Sequence, residues 1–383
     1  MRIWNKKKPM RPETEAELAE IIAEATGPLH IRSGGTRAVG APVTGAVLET
    51  GGLSGIRLYE PGALTLVAGA GTPLAEIESA LAEQGQRLPF EPMDHRGLLG
   101  TEGVPTLGGM AASNASGPRR VQAGACRDFM LGVRFVDGAG RALSNGGRVM
   151  KNVTGYDLVK LLAGSRGTLG VLSEVSLKVL PRPESAATLS IDGLAEAEAV
   201  PLMAQALGSP FEITGAAHLP EGPEGAPRTL LRIEGFAESV SYRAERLREM
   251  FAARGPRVER DAEAIAETWA AVRDVAPLQG RPGDVWRISC KPSLAPALVA
   301  RLAPEAVLYD WGGGLIWALA PEGTDARARL GAFDGHATLV RGSEASRRSL
   351  PVFQPEPAPV AALTEGLRRR FDPRGILNPG LMA

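Results

Sequence analysis

Residues 32–37 read Arg-Ser-Gly-Gly-Thr-Arg, residues 108–117 read Gly-Gly-Met-Ala-Ala-Ser-Asn-Ala-Ser-Gly, and residues 164–170 read Gly-Ser-Arg-Gly-Thr-Leu-Gly. Glycine loses the most backbone entropy on folding, so such stretches are kept where a chain turns tightly or approaches a ligand closely. Successive bare N–H groups form an anion site, and Arg32 and Arg37 add permanent positive charge beside the first stretch. One stretch alone is most simply a tight connection. Three in the first half of the chain predict a long phosphorylated ligand held at several points.

The composition is that of a globular protein with more than one core. A chain of 383 residues with 44% hydrophobic residues is expected to form two domains. Its 43 basic and 43 acidic residues cancel, which argues against a nucleic-acid-binding protein. Aromatic residues make up only 5%, too few for platforms on which single-stranded bases stack.

The cysteines and histidines do not predict a metal site. Cys126 and Cys290 are far apart, and an iron–sulfur cluster normally needs four thiolates, so the chain cannot hold one alone. Two lone thiols fit a reducing cytosol. The four histidines are scattered without chelating spacing: His30, His95, His218 and His336. We therefore expect no bound metal.

The ends and apolar runs of the sequence contain no membrane signal. Residues 1–8 are basic, but polar residues follow them instead of an apolar segment. No run approaches the roughly 20 apolar residues that a membrane span requires. We expect a cytoplasmic protein, which could reach the inner face of the membrane through partner subunits.

Local patterns predict alternating strands and short helices up to residue 180. Thr14 and Glu17 form a capping box before an amphipathic helix that ends at Gly27. A short strand, 29–31, then leads into the first glycine-rich stretch. A second helix is predicted after residues 64–68, with Thr72 as its N-cap and Pro73 at its first position.

A proline pair, Pro181 and Pro183, predicts a break in the chain. We expect one domain over residues 1–181, a second over 182–345, and a C-terminal segment over 346–383 that returns to the first domain. The second domain is expected to contain helices after residues 239 and 261 and strands over 285–289, 315–319 and 338–340.

The usual nucleotide-binding and nucleophile motifs are absent from the sequence. Gly69 and Gly71 follow a strand and precede a helix, but a Rossmann fingerprint needs a third glycine where Leu74 stands. No glycine-rich stretch ends in Gly-Lys-Ser or Gly-Lys-Thr, which excludes a Walker loop. A Gly-x-Ser-x-Gly nucleophile elbow is also missing.

The order of several motifs resembles the FAD domain of the vanillyl-alcohol-oxidase (PCMH-type) flavoproteins. The matching motifs are residues 32–36, 88–92, 106–117, 151–158 and 164–171, in this order. The resemblance implies an α+β fold: a two-lobed PCMH-type FAD-binding domain followed by an α+β cap domain with a mainly antiparallel sheet. Within the family the chain is most similar to the FAD-binding subunits of glycolate oxidase complexes, because residues 118–120, Asp310-Trp311 and the tail from Asp372 to Gly380 also match.

The resemblance assigns FAD as the cofactor and implies roles for the matching residues. Residues 32–36 resemble the loop that holds the FAD diphosphate, and the later stretches resemble segments that line the ADP half and the flavin. The expected cofactor contacts are Arg32, Ser33, Gly34, Gly35, Thr36, Arg37, Thr106, Gly108, Gly109, Ala112, Ser113, Ser116, Gly117, Gly167, Thr168, Gly170, Val171 and Asn378. An ordinary helix-stop turn is the alternative interpretation of Asn378 and Pro379.

Two departures from the family pattern refine this expectation. Covalent members carry a histidine where Thr36 stands, so we expect FAD that is bound without a covalent link. Related 2-hydroxy-acid dehydrogenases carry a histidine-rich Gly-Asp-Gly-Asn stretch that binds metal and substrate, and this sequence contains none. Arg232 and Arg287 have no evident histidine partner in the sequence, so no catalytic residue is assigned.

The resemblance implies a role in the oxidation of glycolate to glyoxylate within a complex. The expected partners are a sister FAD-containing subunit and an iron–sulfur subunit that passes electrons towards quinone. Two alternatives stay open at this point. The chain could be a free-standing FAD-dependent dehydrogenase of a 2-hydroxy acid or alcohol, or a structural subunit whose flavin takes no part in catalysis.

Overall fold

The computed structural model describes residues 9–148, 155–222 and 225–382. The basic N-terminus and residues 151–154 of the fourth matching motif lie outside this range. The strands are β1 (Leu29–Arg32), β2 (Ala46–Glu49), β3 (Ile56–Glu60), β4 (Thr65–Gly69), β5 (Gln86–Arg87), β6 (Met130–Val136), β7 (Ala142–Gly146), β8 (Val171–Lys178), β9 (Leu180–Pro181), β10 (Ser185–Asp192), β11 (Ile213–Leu219), β12 (Arg228–Gly235), β13 (Arg257–Glu259), β14 (Asp284–Cys290), β15 (Ala306–Asp310), β16 (Leu315–Ala320) and β17 (Gly335–Arg341).

The α-helices, like the strands, are short. They are α1 (Glu15–Glu24), α2 (Leu74–Glu83), α3 (Arg96–Leu99), α4 (Leu107–Ser113), α5 (Arg120–Ala123), α6 (Cys126–Phe129), α7 (Leu158–Leu162), α8 (Glu196–Leu207), α9 (Ala237–Met250), α10 (Ala262–Arg273), α11 (Ala295–Leu302), α12 (Ala326–Leu330), α13 (Glu344–Ser349) and α14 (Ala358–Phe371). Thr14 caps α1 as predicted, because its hydroxyl accepts a hydrogen bond from the Glu17 amide.

The first half of the chain builds a small parallel sheet and a larger antiparallel sheet around separate cores, and β5 pairs with β9 in a third, two-stranded sheet. Strands β1 and β2 pair in parallel, and a five-stranded antiparallel sheet has the order β3-β4-β8-β6-β7. The core of the five-stranded sheet includes Leu66 of β4, Ile77 of α2 and Val175 of β8. The cavity described below lies where β1, α4 and the start of β8 meet.

The predicted N-cap of α2 is wrong. The Thr72 hydroxyl donates to the Gly69 carbonyl at 2.7 Å and accepts from the Gly55 amide at 2.9 Å. The chain turns sharply here, and the Thr72 amide also donates to Gly69. The hydroxyl is therefore used inside the turn, and Pro73 is the residue that precedes the helix.

The second half of the chain forms one eight-stranded antiparallel sheet in the order β13-β10-β12-β11-β15-β16-β14-β17. Its largest fully buried side chains include Trp286 and Tyr309. The expected α+β class with a mainly antiparallel second sheet is confirmed. The boundaries at residues 181 and 345 stay predictions, although β10 begins just after the first of them.

Buried ion pairs join the two halves. The Arg232 guanidinium of β12 donates two hydrogen bonds of 2.8 Å to the Glu91 carboxylate, and Glu234 pairs with Arg87 and Arg119. Burial opposes the ionisation of Glu91, but Arg232 and Arg119 outweigh it and lower its pKa to about 2. Glu91 therefore stays charged, and these pairs connect β12 of the second half with residues of the first half.

The C-terminal residues lie against β1. The Leu29 amide donates to the Ile376 carbonyl at 2.7 Å, and the Asn378 amide donates to the Leu29 carbonyl at 3.0 Å. Further along, the Ala41 amide donates to Leu381 at 3.0 Å. These bonds bring Asn378 to the edge of the cavity near the first glycine-rich stretch.

Candidate functional site

A cavity of about 300 Å³ collects most of the predicted site residues. Those that line it are Arg32, Ser33, Gly34, Gly35, Thr36, Arg37, Thr106, Gly108, Gly109, Ala112, Ser113, Gly167, Gly170, Val171 and Asn378. The three glycine-rich stretches, which are far apart in sequence, thus contribute to one site. Ligand pockets typically measure about 300–1,000 Å³, so this volume is in the range of a binding site.

Three predicted contacts lie outside this lining. The Ser116 hydroxyl accepts a hydrogen bond from the Cys126 amide at 3.0 Å, and the Gly117 carbonyl accepts one from the Trp311 indole at 3.1 Å. The Thr168 hydroxyl donates to the Ser165 carbonyl at 2.7 Å. Each of the three residues forms a hydrogen bond within the protein, and the predicted roles in cofactor binding stay untested.

The first stretch turns so closely against a neighbouring segment that its glycines are required. A Cβ placed on Gly34 would lie 1.5 Å from the Val104 carbonyl oxygen, and Gly35 has a φ of +71°. The Ser33 and Thr106 hydroxyls are 2.7 Å apart and join this loop to the start of α4. Any side chain at Gly34 would displace the loop from its neighbour.

The amides of this loop are available to an anion, whereas those at the start of α4 are not. Within the described part of the chain, the amides of residues 34–36 donate no hydrogen bond. In α4, the Leu107 amide donates to Thr72 at 2.9 Å, Gly108 to Ala70 at 2.6 Å, and Gly109 to the Thr106 hydroxyl at 3.3 Å. The prediction of an anion nest at the second stretch is therefore wrong.

The second stretch forms a helix because of close packing. The Thr106 hydroxyl caps α4, and a Cβ on Gly108 would lie 2.8 Å from the Ala70 side chain. Small residues thus let α4 approach the end of β4. Backbone bonds from Gly164 to Ala111 (3.2 Å) and from Arg166 to Ala112 (2.9 Å) then attach the third stretch to the helix. The second stretch shapes the cavity wall.

The two arginines of the first stretch differ in environment. Arg32 pairs with Glu49 at 2.5 Å, and 48% of its side chain is exposed. Arg37 is largely buried and donates to the Met93 carbonyl at 3.1 Å, while its Nε and Nη1 atoms have no partner among the described residues. Burial lowers the pKa of Arg37 to about 10, so the group still carries a positive charge at neutral pH. Arg37 is the cation that an anionic ligand would meet.

Arg166 is a second buried cation, and the sequence analysis missed it. It lines the cavity, donates to the Val39 carbonyl at 3.3 Å and lies 5.0 Å from the Phe353 ring centroid. Burial, followed by repulsion from Arg37, lowers its pKa to about 10. Neither arginine forms an ion pair within the described residues. The sequence signal that could have identified Arg166 was its position between Gly164 and Gly167 in the third stretch.

Asn378 connects the first and third stretches. Its side-chain oxygen accepts from the Ile31 amide at 2.8 Å, and its side-chain nitrogen donates to the Arg166 carbonyl at 2.9 Å. The residue is buried and has a φ of +44°. Helix α14 ends at Phe371, so the interpretation of Asn378 as a helix-stop turn is wrong.

These donors fit the diphosphate of FAD. A diphosphate needs several N–H donors and positive charge, and the loop provides the amides of residues 34–36 beside the unpartnered nitrogen atoms of Arg37. Thr36 is buried next to them and offers no imidazole for a bond to the flavin. The absence of a covalent link stays a prediction.

Comparisons with known proteins also indicate a protein that binds FAD. Residues 9–145 match the family described as "FAD binding domain". The chain is 36% identical to the glycolate oxidase subunit GlcE of Escherichia coli (strain K12), over 96% of this chain and 95% of that protein. It is 28% identical to the glycolate oxidase subunit GlcD of Bacillus subtilis (strain 168), over 79% and 63% of the two chains.

More distant proteins share part of the sequence or the fold alone. The D-lactate dehydrogenase of Archaeoglobus fulgidus is 31% identical over 48% of this chain and 40% of its own length. A solved structure of an alkyldihydroxyacetonephosphate synthase superposes with a TM-score of 0.69 at 15% identity, over 96% of this chain and 75% of that one. Together with the full-length match above, these findings show that the chain is an FAD-dependent oxidoreductase that belongs to the glycolate oxidase GlcE subunit family.

Proposed function

We propose that this chain is the FAD-binding subunit of a glycolate oxidase complex that converts glycolate to glyoxylate. Its partners would be a sister FAD-containing subunit and an iron–sulfur subunit that passes electrons to quinone. The observation that carries the proposal is the loop of residues 34–36, whose free amides lie beside the buried, unpaired Arg37. The full-length similarity to a glycolate oxidase subunit supports the choice of complex.

The chain's own residues would hold and orient the cofactor. The amides of residues 34–36 and Arg37 would bind the diphosphate, while Asn378 keeps the first and third stretches together. Arg166, which also lines the cavity, would supply a second positive charge. FAD, when bound, supplies two-electron redox chemistry. We propose that the bond between FAD and this chain is non-covalent, because Thr36 cannot alkylate the flavin.

Membrane association, in this proposal, comes through the partner subunits. Within the described residues, no helix combines the length and apolar character needed to cross a bilayer. The chain itself would be cytoplasmic and would reach the inner face of the membrane only as part of the complex.

The test is reconstitution of the complex from separately purified subunits. We expect this chain to copurify with both partners, and we expect glycolate-dependent reduction of a quinone analogue only when the chain is present and loaded with FAD. Full activity of the partners without this chain would contradict the proposal. An intact complex that loses turnover when the chain lacks FAD would count against a purely structural flavin.

A second candidate function, a free-standing dehydrogenase of a 2-hydroxy acid, is favoured by unpaired charge on the second sheet. Arg287 of β14 lies 5.1 Å from the Trp311 ring centroid and 5.9 Å from that of Trp317, and Arg120 lies 4.8 Å from Trp311. In contrast to Arg232, which pairs with Glu91, neither Arg287 nor Arg120 has a direct ion-pair partner in the described ranges, although Asp310 acts on Arg287 and Asp128 on Arg120 from farther away. A small carboxylate could supply that partner.

A candidate proton acceptor is close to this pair of arginines. His336 of β17 is paired with Ser289, two residues from Arg287 on the same face of β14. Much of its side chain is exposed, but partial burial and then the charges of Arg287 and Arg120 lower its pKa. A neutral imidazole can accept the hydroxyl proton of a 2-hydroxy acid. The position of His336 near Arg287 supports this second candidate, and the sequence alone did not reveal it.

One experiment distinguishes the two candidate functions. Glycolate or D-lactate is added under anaerobic conditions to the isolated, FAD-loaded chain, and the visible flavin absorbance is followed. Rapid bleaching that is lost in Arg287→Met would favour the free-standing enzyme. Unchanged absorbance, with bleaching only after the sister subunit is added, would favour the complex.

A further inference from the structure

Helix α14 has almost no packing within the chain. None of the residues of Ala358–Phe371 is buried, whereas α9 buries Val240, Ala244 and Leu247 and α10 buries Ile265, Trp269 and Val272. Helices of this length are marginal in water unless a tertiary contact stabilises one face. The sequence of α14 also contains a glycine and β-branched residues, which disfavour a helix. A contact outside the chain would supply the missing stabilisation.

Three large apolar side chains form a stripe along α14. Val360, Leu363 and Leu367 are 46%, 71% and 41% exposed. Their spacing of three and four residues places them on one face of the helix. They extend over about 10 Å, because each helical residue rises about 1.5 Å. These three side chains are called the stripe below. Their spacing is typical of a helix that binds in an apolar groove of a partner.

The charge of α14 is concentrated at one end. Its last turn contains Arg368, Arg369 and Arg370, and only Arg369 has an ion-pair partner in the described ranges, Glu365 at 2.9 Å. The preceding turns contain no basic residue. Helices that lie on membranes are rich in Lys and Arg on their polar face. In α14 only the last turn is basic, and this distribution favours a protein partner. Carboxylates at one end of the groove would complement the free arginines.

We propose that α14 is a docking helix for another subunit of the oxidase. The partner surface would be an apolar groove that accepts Val360, Leu363 and Leu367, with carboxylates opposite Arg368 and Arg370. This inference rests on the proposed function, because it takes the occupant from the glycolate oxidase complex.

The chain continues directly from this helix to the cofactor cavity. At the end of α14, the Phe371 carbonyl accepts from the Gly138 amide at 2.8 Å, and the Phe371 ring centroid lies 6.1 Å from that of Phe135. The Asp372 carboxylate then accepts from the Leu377 amide at 2.7 Å, next to Asn378. Docking would therefore hold the partner close to the segment that closes the cavity.

The test compares Leu363→Glu with Ala362→Glu in the full-length, FAD-loaded chain. Ala362 is exposed on the other side of the same helix, so both variants add one carboxylate to α14. Each protein is coexpressed with a tagged sister flavoprotein subunit and the iron–sulfur subunit of the same organism. The amount of each subunit captured per chain is measured, with FAD content and Tm as controls for folding.

We expect Leu363→Glu to lower subunit capture at least about tenfold, as truncation of a central apolar anchor does in other interfaces. Ala362→Glu should capture within about twofold of the wild type, because it lies outside the stripe. Equal capture by both variants and the wild type would overturn the docking proposal and leave the proposed function intact. Failure of the wild type to capture either subunit would overturn both.

Two further measurements test whether the stripe binds a membrane or a second copy of this chain instead of a partner subunit. The wild type and Leu363→Glu are sedimented with vesicles of phosphatidylglycerol and phosphatidylethanolamine, and their self-association is measured by light scattering. A loss of vesicle binding or of a dimer in Leu363→Glu, with subunit capture unchanged, would overturn the proposal in favour of a membrane or of a second copy.

Discussion

The side chain of Asn378 hydrogen-bonds the Ile31 amide at 2.8 Å, although the two residues are 347 positions apart in sequence. Its other side-chain atom donates to Arg166 at 2.9 Å, so one amide group links two walls of the cavity. Asn378→Asp keeps the acceptor and removes the donor, which leaves the Arg166 carbonyl unsatisfied at a cost of about 1–3 kcal/mol. We expect FAD to bind about tenfold more weakly, as measured by fluorescence titration of the apoprotein.

Asn114 offers a matched control for this variant. It also has a positive φ, +49°, and its side-chain oxygen accepts from the Arg127 amide at 3.0 Å. It is not among the residues that line the cavity. Asn114→Asp should therefore leave FAD affinity unchanged, and an equal loss in both variants would show that Asn378 acts only through general stability.

Arg37→Met should move two measurements in opposite directions. Burial disfavours the charge of Arg37 more than Asp94 favours it, and two of its nitrogen atoms lack a hydrogen-bond partner, so we expect the Tm of the apoprotein to stay equal or rise. Affinity for FAD should fall by about 1.5–3 kcal/mol, the range for a hydrogen bond to a charged group. Calorimetric titration and thermal unfolding check the two effects.

Arg32→Met is the control for Arg37, because Arg32 belongs to the same loop but pairs with Glu49. Half-exposed ion pairs contribute about 0–1 kcal/mol, so a small loss of affinity is expected. If Arg32→Met weakened FAD binding as much as Arg37→Met, the assignment of Arg37 as the diphosphate cation would be wrong.

Gly34→Ala tests the close turn of the first stretch. The added Cβ would lie 1.5 Å from the Val104 carbonyl oxygen, so the loop must move and its amides lose their arrangement. We expect the purified variant to contain little FAD and to have a lower Tm. Gly62→Ala meets no atom within 4 Å and should retain both properties. Normal flavin content in Gly34→Ala would contradict a role for this turn.

Asp310 gives a pH dependence with a definite sign. Burial, and then repulsion from Glu91, raises its pKa to about 7 against the opposing Trp311 amide and the charges of Arg232 and Arg287. The unfolded chain releases this proton near pH 4. Stability is therefore fully present below about pH 4 and is lost as the pH rises to about 7. Asp310→Asn stays neutral, so its Tm relative to the wild type should rise between about pH 4 and about pH 7 and stay level above that.

The control for this trend is Asp334→Asn. Asp334 is exposed, and Lys291 lowers its pKa, so its replacement should not gain stability as the pH rises. A flat difference between Asp310→Asn and the wild type over the same pH range would contradict a raised pKa for Asp310.

The sequence predicted the fold class and the cofactor better than it predicted individual contacts. The residue types of the first stretch predict an anion loop, and its amides are free to bind one, but Arg32 and Arg37 look equivalent until Glu49 is brought beside one of them. The second stretch was interpreted as a nest because bare amides suggest one. Only the folded chain shows that Thr72 and Ala70 already accept those hydrogen bonds.

Strand β11 shows why parts of the second sheet were not predicted. Its sequence, Ile-Thr-Gly-Ala-Ala-His-Leu, is rich in small residues with low strand preference, yet every residue is buried between β12 and β15. Pairing with neighbours on both sides decided its conformation. Arg166 was missed for a related reason, because its place at the cavity depends on the bond its amide donates to Ala112 of α4 and the bond its carbonyl accepts from Asn378.

The most direct test of the account is a titration of the purified apoprotein with FAD, followed by acid precipitation of the complex. We predict one FAD per chain, with all of the flavin released into the supernatant, as the proposed diphosphate loop and the lack of an imidazole at Thr36 require. Failure to bind FAD would contradict the central claim, and flavin that stays with the precipitated chain would contradict the non-covalent attachment.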